Sequence, residues 1–247
     1  MRRIAIQKPS LMALYIELAF QEKVLSTATA FVFQSGPRSY LITNRHNVSG
    51  RRSDNDQPVS STGGIPDKIL IHHNKIGGGW ITKTEWLIAE QGQPLWCEHP
   101  HWGKTTDMAA LRLTDLEGVI LIPYSLEENS PILIGPSDYV SVVGFPFGLK
   151  SGGSMAIWAT GFVATEPEVD HDGLPLFLVD CRTRRGQSGS AVIAHRCSQL
   201  VQTGNLDICL PSQTRFLGLY SGRVNLDADL GFVWKARAIK EMVDSIP

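Results

Sequence analysis

Short apolar or alternating runs, broken by Gly, Pro, Asn and Asp, recur along most of the chain, among them ATAFVFQ, SYLIT, KILIHH, EWLIAE, MAALRL, YVSVVGF, LFLVD, SAVIA and FLGLYS. Strand-length runs with such frequent turn signals predict an all-β sandwich or barrel rather than alternating strands and helices. One helix is predicted, over KARAIKEMVDSI, where Ala238, Ile239, Met242 and Val243 recur at helical spacing among charged neighbours. A chain of 247 residues, 43% of them hydrophobic, can bury one large core or two small ones. The turn-rich segment after residue 113, TDLEGVILIPYSLEENSPILIGPSD, sets a division between two β subdomains near residues 116–136.

A formal charge of -1 gives no global field that would gather nucleic acid or an anionic membrane, so neither partner is expected. The opening MRRIAIQKPSLMALYIELAF has arginines ahead of an apolar run, but Gln7, Lys8 and Pro9 interrupt it and Glu17 sits within it. Cleavage after Ala30 would also cut a predicted strand, so this stretch reads as part of the fold rather than a secretory signal. With no other apolar run approaching about 18 residues, a cytoplasmic location is expected. Cys97, Cys181, Cys197 and Cys209 lack zinc-finger spacing and are expected to be reduced, buried thiols. The polar interval 51–66 reads as a surface loop, and His72 and His73 as solvated loop or strand-end histidines. Adjacent strand residues face opposite ways and no carboxylate or cysteine stands at ligand spacing, so no metal is expected there.

The stretch TRRGQSGSAV holds Ser188 between glycines, the composition of an ordinary turn or of a shaped nucleophile loop. A serine hydroxyl becomes a useful nucleophile only when a base takes its proton and a third group holds that base. His46, in YLITNRHNVSG, lies where an apolar strand enters a polar turn and is the candidate base. His99 and His101, in CEHPHWGK, compete from a loop with no strand to fix them. Asp107, in TTDMAALRL, stands at the polar start of an apolar strand. A carboxylate there can be partly buried beside an imidazole and favour the tautomer whose other nitrogen accepts the serine proton. Each residue taken alone also has a plain structural reading.

Together, ATAFVF with LITNRHNV, DMAALRL and GQSGSAV resemble the chymotrypsin-fold serine peptidases, most of all bacterial trypsin-like proteases related to the high-temperature-requirement group. The order His, Asp, Ser, at separations of 61 and 81 residues, is that of the chymotrypsin class. VSVVGFPFG and GFVAT are similar to the first strands of a second barrel, so the resemblance covers roughly residues 25–245. It implies two six-stranded antiparallel β-barrels: residues 1–125 carrying His46 and Asp107, and residues 126–247 carrying Ser188 and the terminal helix. It further implies a serine endopeptidase that needs no cofactor and acts on a protein or peptide. His46 would be the general base and then acid, Asp107 its orienter, and Ser188 the nucleophile that forms an acyl-enzyme. The amides of Gly186 and Ser188 would make the oxyanion hole. FLGLYSGRV resembles the strand lining the specificity pocket, with Ser221 supporting the aspartate and Gly222 beside it.

By offset from Ser188, Arg182 and Thr183 fall at the pocket floor of such peptidases. Arg182 there would favour an acidic side chain before the scissile bond, whereas strand alternation would send it to solvent. Gln187 stands where the digestive members carry an aspartate that pairs with a newly cut N-terminus, so activation by cleavage and ion pairing is not expected. The active loop would form by itself or with an activating protein partner. The alternative reading is a catalytically idle or partner-activated peptide-binding or scaffold protein on the same fold.

Overall fold

In the computed structural model, which describes residues 6–60, 63–125, 131–196, 199–203, 206–210, 212–225 and 227–247, the apolar side chains of the two larger sheets sort into three layers. The first half holds β1 (Ala13–Phe20), β2 (Lys23–Ser35), β3 (Arg38–Thr43), β4 (Lys68–Lys75), β5 (Trp80–Trp86), β6 (Trp96–Cys97), β7 (Ala109–Arg112) and β8 (Val119–Ile120). They form one eight-stranded sheet in the order β5-β4-β1-β2-β3-β7-β6, with β8 added to β4. The second half holds β9 (Tyr139–Gly144), β10 (Ile157–Val163), β11 (Leu176–Asp180), β12 (Ala191–Arg196), β13 (Gln199–Thr203), β14 (Leu206–Leu210), β15 (Gln213–Arg223) and β16 (Leu230–Lys235). Six of these close into an antiparallel barrel in the order β10-β11-β16-β15-β12-β9, and β13 and β14 pair as a separate hairpin.

The all-β, chymotrypsin-like architecture is therefore present, with one difference in detail. The first half is eight-stranded along an open path rather than a closed six-stranded barrel. The extra pairing comes partly from two-residue strands, β6 and β8, which are too short to show a period in sequence. Short helices α1 (Pro9–Met12) and α2 (Arg45–Ser49) precede β1 and follow β3, and α3 (Ala236–Asp244) ends the fold. Ala238, Ile239, Met242 and Val243 of α3 are buried, as their spacing predicts.

One layer fills the first half, with Leu14, Ile16, Leu18, Val32 and Ile71 among its members. A second fills the barrel, including Val140, Val142, Phe177 and Val192. The third lies between the halves and takes Tyr15, Phe31 and Phe33 from the first half and Phe145, Ile193, Phe216, Trp234 and α3 from the second. Most of β1 and the Ala28–Phe33 part of β2 thus bury both faces, which is why ALYIELAF and AFVF read as nearly unbroken apolar runs. At the seam Phe31 meets Phe216 edge-on at 5.2 Å, and Tyr124, from the segment joining the halves, stacks on Phe216 at 4.8 Å. Such contacts add about 0.5–1.5 kcal/mol each beyond burial, fixing the angle at which the halves meet.

Cys97 and Cys181 are free thiols, half-buried and buried respectively; Cys197 and the Cys209 side chain lie outside the described residues. Among the described residues, no helix is long and apolar enough to cross a membrane, and no group of three or more His, Cys, Asp or Glu is placed to hold a metal ion. His72 and His73 are not at a strand end but inside β4, paired opposite Thr82 and Ile81. Ile69, Ile71 and His73 share the buried face of β4, and neither ring nitrogen of His73 has a hydrogen-bond partner. Burial, with the Lys83 charge nearby, pushes the His73 pKa down to about 4, against a smaller opposing effect of Asp115. The unfolded chain takes up this proton near pH 6.5 and the folded chain only near 4, so stability falls as pH drops through that window and levels off below it. The full loss is about 3 kcal/mol, at about 1.36 kcal/mol per pKa unit. Thermal denaturation of wild type and His73→Leu between pH 7 and 4 checks this: the variant should show a shallower acid loss, and identical slopes would contradict it.

Candidate active site

His46 is carried by α2, which begins as soon as β3 leaves the sheet, and Gly50 ends that helix in the left-handed conformation at φ 65°. Asp107 precedes β7, the neighbour of β3, so sheet pairing brings the two residues to the same end of adjacent strands. The contact is direct: His46 Nδ1 lies 2.6 Å from Asp107 Oδ2, and the His46 amide donates to Oδ1 at 2.9 Å. Asn44 holds the same segment by donating its Nδ2 to the Asp107 carbonyl at 2.7 Å. A carboxylate only accepts, so His46 Nδ1 carries the proton and Nε2 is left as the free acceptor.

Asp107 is 6% exposed, and a buried carboxylate needs several donors. Besides His46, Ser53 Oγ donates to Oδ1 at 2.8 Å and Ser221 Oγ donates to Oδ2 at 2.5 Å. Burial tends to raise the Asp107 pKa, but His46, through its charge and hydrogen bonds, and Ser221 pull it below the ordinary carboxylate range. Burial likewise tends to lower the His46 pKa, yet the charge and hydrogen bond of Asp107 outweigh it and leave the imidazole above its ordinary value.

Ser188 lies in the loop between β11 and β12, facing the same cleft as His46. Its Oγ donates to the Ser221 carbonyl at 3.3 Å, not to His46 Nε2. Gly186 has φ +91°, and a Cβ there would lie 2.3 Å from the Phe145 carbonyl, so both conformation and crowding require glycine. The Arg185 carbonyl accepts from the Phe147 amide at 2.6 Å. Because N–H and C=O of a trans peptide point oppositely, this bond turns the Gly186 N–H away from Phe147. Neither the Gly186 nor the Ser188 amide donates to an acceptor among the described residues. Gln187 is buried, and its Oε1 accepts from the Arg184 amide at 2.7 Å.

Two clefts flank His46. One, of about 570 Å³, is lined by Ser188, Gly186 and Arg185 together with Leu18, Val59 and Pro66. The other, of about 890 Å³, is lined by Asp107, Ser221, Gly222, Leu174, Phe232 and Trp234. Arg182 faces neither: alternation continues beyond β11, and its guanidinium, 78% exposed, lies 3.9 Å from Asp229. Of the two positions weighed for it in the sequence, Arg182 takes the exposed one rather than a pocket floor. Thr183 is buried with its hydroxyl hydrogen-bonded to that of Tyr220, and also lines neither cleft. His99 is buried elsewhere, its Nδ1 accepting from the amides of His101 and Trp102 and its Nε2 3.4 Å from Glu241, so neither loop histidine reaches Ser188. The sequence reading missed Asn44 and Ser53. Both are polar residues in polar surroundings, and only the fold reveals that their donors converge on Asp107.

The chain belongs to the trypsin-like peptidase domain family, whose model matches residues 28–201. It is similar in fold to the serine endoprotease of Yersinia pestis, at 15% identity and TM-score 0.53, covering 98% of this chain and 67% of that one. It is also similar to the Mycobacterium tuberculosis protease Rv3671c. In its active form the identity is 17% and the TM-score 0.52 over 96% and 82% of the two chains; in its inactive form they are 16% and 0.51 over 96% and 90%. A comparison with curated protein sequences finds no match.

An NMR titration of the His46 ring should give a midpoint above 6.5, the ordinary value, and Asp107→Asn should lower it. A wild-type midpoint below 6.5 would contradict the account of the pair.

Proposed function

We propose that the protein is a serine endopeptidase in which His46, Asp107 and Ser188 form the catalytic triad. The observation that carries this reading is the 2.6 Å contact between His46 and Asp107 opening onto the cleft that also holds Ser188 and the two unengaged amides. On this reading the Ser188 hydroxyl leaves the Ser221 carbonyl for His46 Nε2 when substrate binds, and a polypeptide seated across the two clefts supplies the carbonyl to be attacked. Hydrogen bonds of this kind commonly tighten only when substrate is bound.

In the first step His46 Nε2 takes the Ser188 proton while Oγ attacks the carbonyl carbon. The negative charge that forms on the carbonyl oxygen is met by the Gly186 and Ser188 amides, each such donor contributing about a hundredfold to a thousandfold in rate. His46 then gives its proton to the leaving amine, and the acyl group stays on Ser188. Water repeats the sequence with His46 again as base, releasing the acid. Asp107 keeps its negative charge throughout, holding the tautomer and stabilising the imidazolium.

A second reading is favoured by the Ser188 hydroxyl resting on the Ser221 carbonyl: a peptidase that is latent, or an idle peptide binder, until a protein partner re-aims the serine. A fluorophosphonate probe separates the two. Labelling of wild type but not of Ser188→Ala supports the active enzyme; no labelling of the isolated chain under any condition supports the second. For an active enzyme kcat/KM should rise with pH through a midpoint above 6.5, because a protonated His46 cannot accept the serine proton. Asp107→Asn should lower kcat about 10⁴-fold. Activity that falls over the same pH range, or survives the substitution, would overturn the assignment.

A further inference from the structure

Every peptide plane from Arg185 to Gly189 is held through its carbonyl. The Arg185 carbonyl accepts from Phe147 N at 2.6 Å and that of Gln187 from Ser190 N at 3.0 Å. The other two are held by one residue of the opposite half of the molecule. Thr29, in β2 and wholly buried, donates its Oγ1 to the Gly186 carbonyl at 2.8 Å and its amide to the Ser188 carbonyl at 3.0 Å. The same Oγ1 accepts from Phe145 N at 3.1 Å, so it also braces the segment whose Phe147 amide holds Arg185. The Thr29 carbonyl in turn accepts from Thr43 Oγ1 at 2.8 Å, just before the α2 helix that carries His46. Gly189 passes so close to that carbonyl that a Cβ would lie 1.9 Å from it.

We propose that Thr29 is a positioning residue for the oxyanion hole, its hydroxyl fixing the Gly186–Gln187 peptide plane that lies between the two planes carrying the Gly186 and Ser188 amides. The need for such a brace follows from Gly186. A glycine has the widest backbone freedom of any residue, and without an external hold its flanking planes can rotate and turn a donor away from the oxyanion. The Thr29 amide bond to Ser188 is made by backbone and is kept by both Val and Ser at this position. The hydroxyl is the one part of the brace that depends on the side chain, and it reaches both Gly186 and the Phe145 segment. This inference rests on the peptidase reading above, because an oxyanion hole matters only to acyl transfer.

The test compares Thr29→Val, which keeps shape and loses the hydroxyl, with Thr29→Ser, which keeps the hydroxyl and loses the methyl. In the full chain Thr29→Val should lower kcat about tenfold to a hundredfold with KM changed less than about threefold, a fraction of the loss seen when an oxyanion donor is removed outright. Binding of a peptide boronate, which carries the tetrahedral charge, should weaken in parallel, while binding of the product peptide should not. Thr29→Ser should restore the rate. A Thr29→Val enzyme with wild-type kcat, or a Thr29→Ser enzyme as slow as Thr29→Val, overturns the positioning role. So does a Val variant that does not fold, which would assign the hydroxyl to stability. A wild-type chain that neither cleaves peptides nor takes the fluorophosphonate probe overturns the active-enzyme reading on which this inference rests, and the inference with it.

Discussion

The site depends first on how one buried carboxylate is satisfied. Removing Asp107 from water costs several kcal/mol unless its oxygens are filled with donors, and breaking such an arrangement by removing one partner is more costly than never making it. Four donors do the filling, and they come from distant parts of the chain: the His46 amide and ring, Ser53 from the loop after α2, and Ser221 from β15 of the barrel. A carboxylate so placed fixes the ring of His46, its tautomer and its raised proton affinity in one stroke. It also fastens the two halves together at the point where substrate would enter.

The same principle of satisfying polar backbone across the seam organises the loop around Ser188. Its carbonyls are tied off by Thr29, Phe147 and Ser190, while the Gly186 and Ser188 amides donate to no acceptor among the described residues. The apolar layer between the halves, with Phe31, Tyr124 and Phe216 at its centre, sets the distance over which those ties can form. Packing and polar satisfaction therefore fix the same geometry from two directions. A neutral Gln187 accepts from the Arg184 amide within the same loop.

How much of this was legible in the sequence follows from what is local. The strands were legible because side chains alternate along each one, and α3 because Ile239, Met242 and Val243 repeat with the helical period. The strands β6 and β8 were not, because two residues make no period. His46, Asp107 and Ser188 were legible as candidates because each lies where an apolar run meets polar turn residues. Ser53 and Thr29 were not, since their roles arise from pairings with residues 54 and 157 positions away. His73 was misread as solvated because it stands among His72, Asn74 and Lys75 where the apolar run gives out, although alternation from Ile69 and Ile71 puts it on their buried face. The exposure of Arg182 follows the alternation weighed against a pocket role, with Asp229 rather than Asp180 beside it.

The arrangement as a whole claims that an imidazole held by Asp107 and two amides left free beside Ser188 act on one carbonyl group. A crystal structure of the chain with a peptide boronate tests this most directly. The account predicts boron bonded to Ser188 Oγ, one boronate oxygen accepting from the Gly186 and Ser188 amides, and His46 Nε2 turned to the adduct. A boronate seated in the cleft without a bond to Ser188, or bonded with its oxygens facing away from both amides, would contradict it.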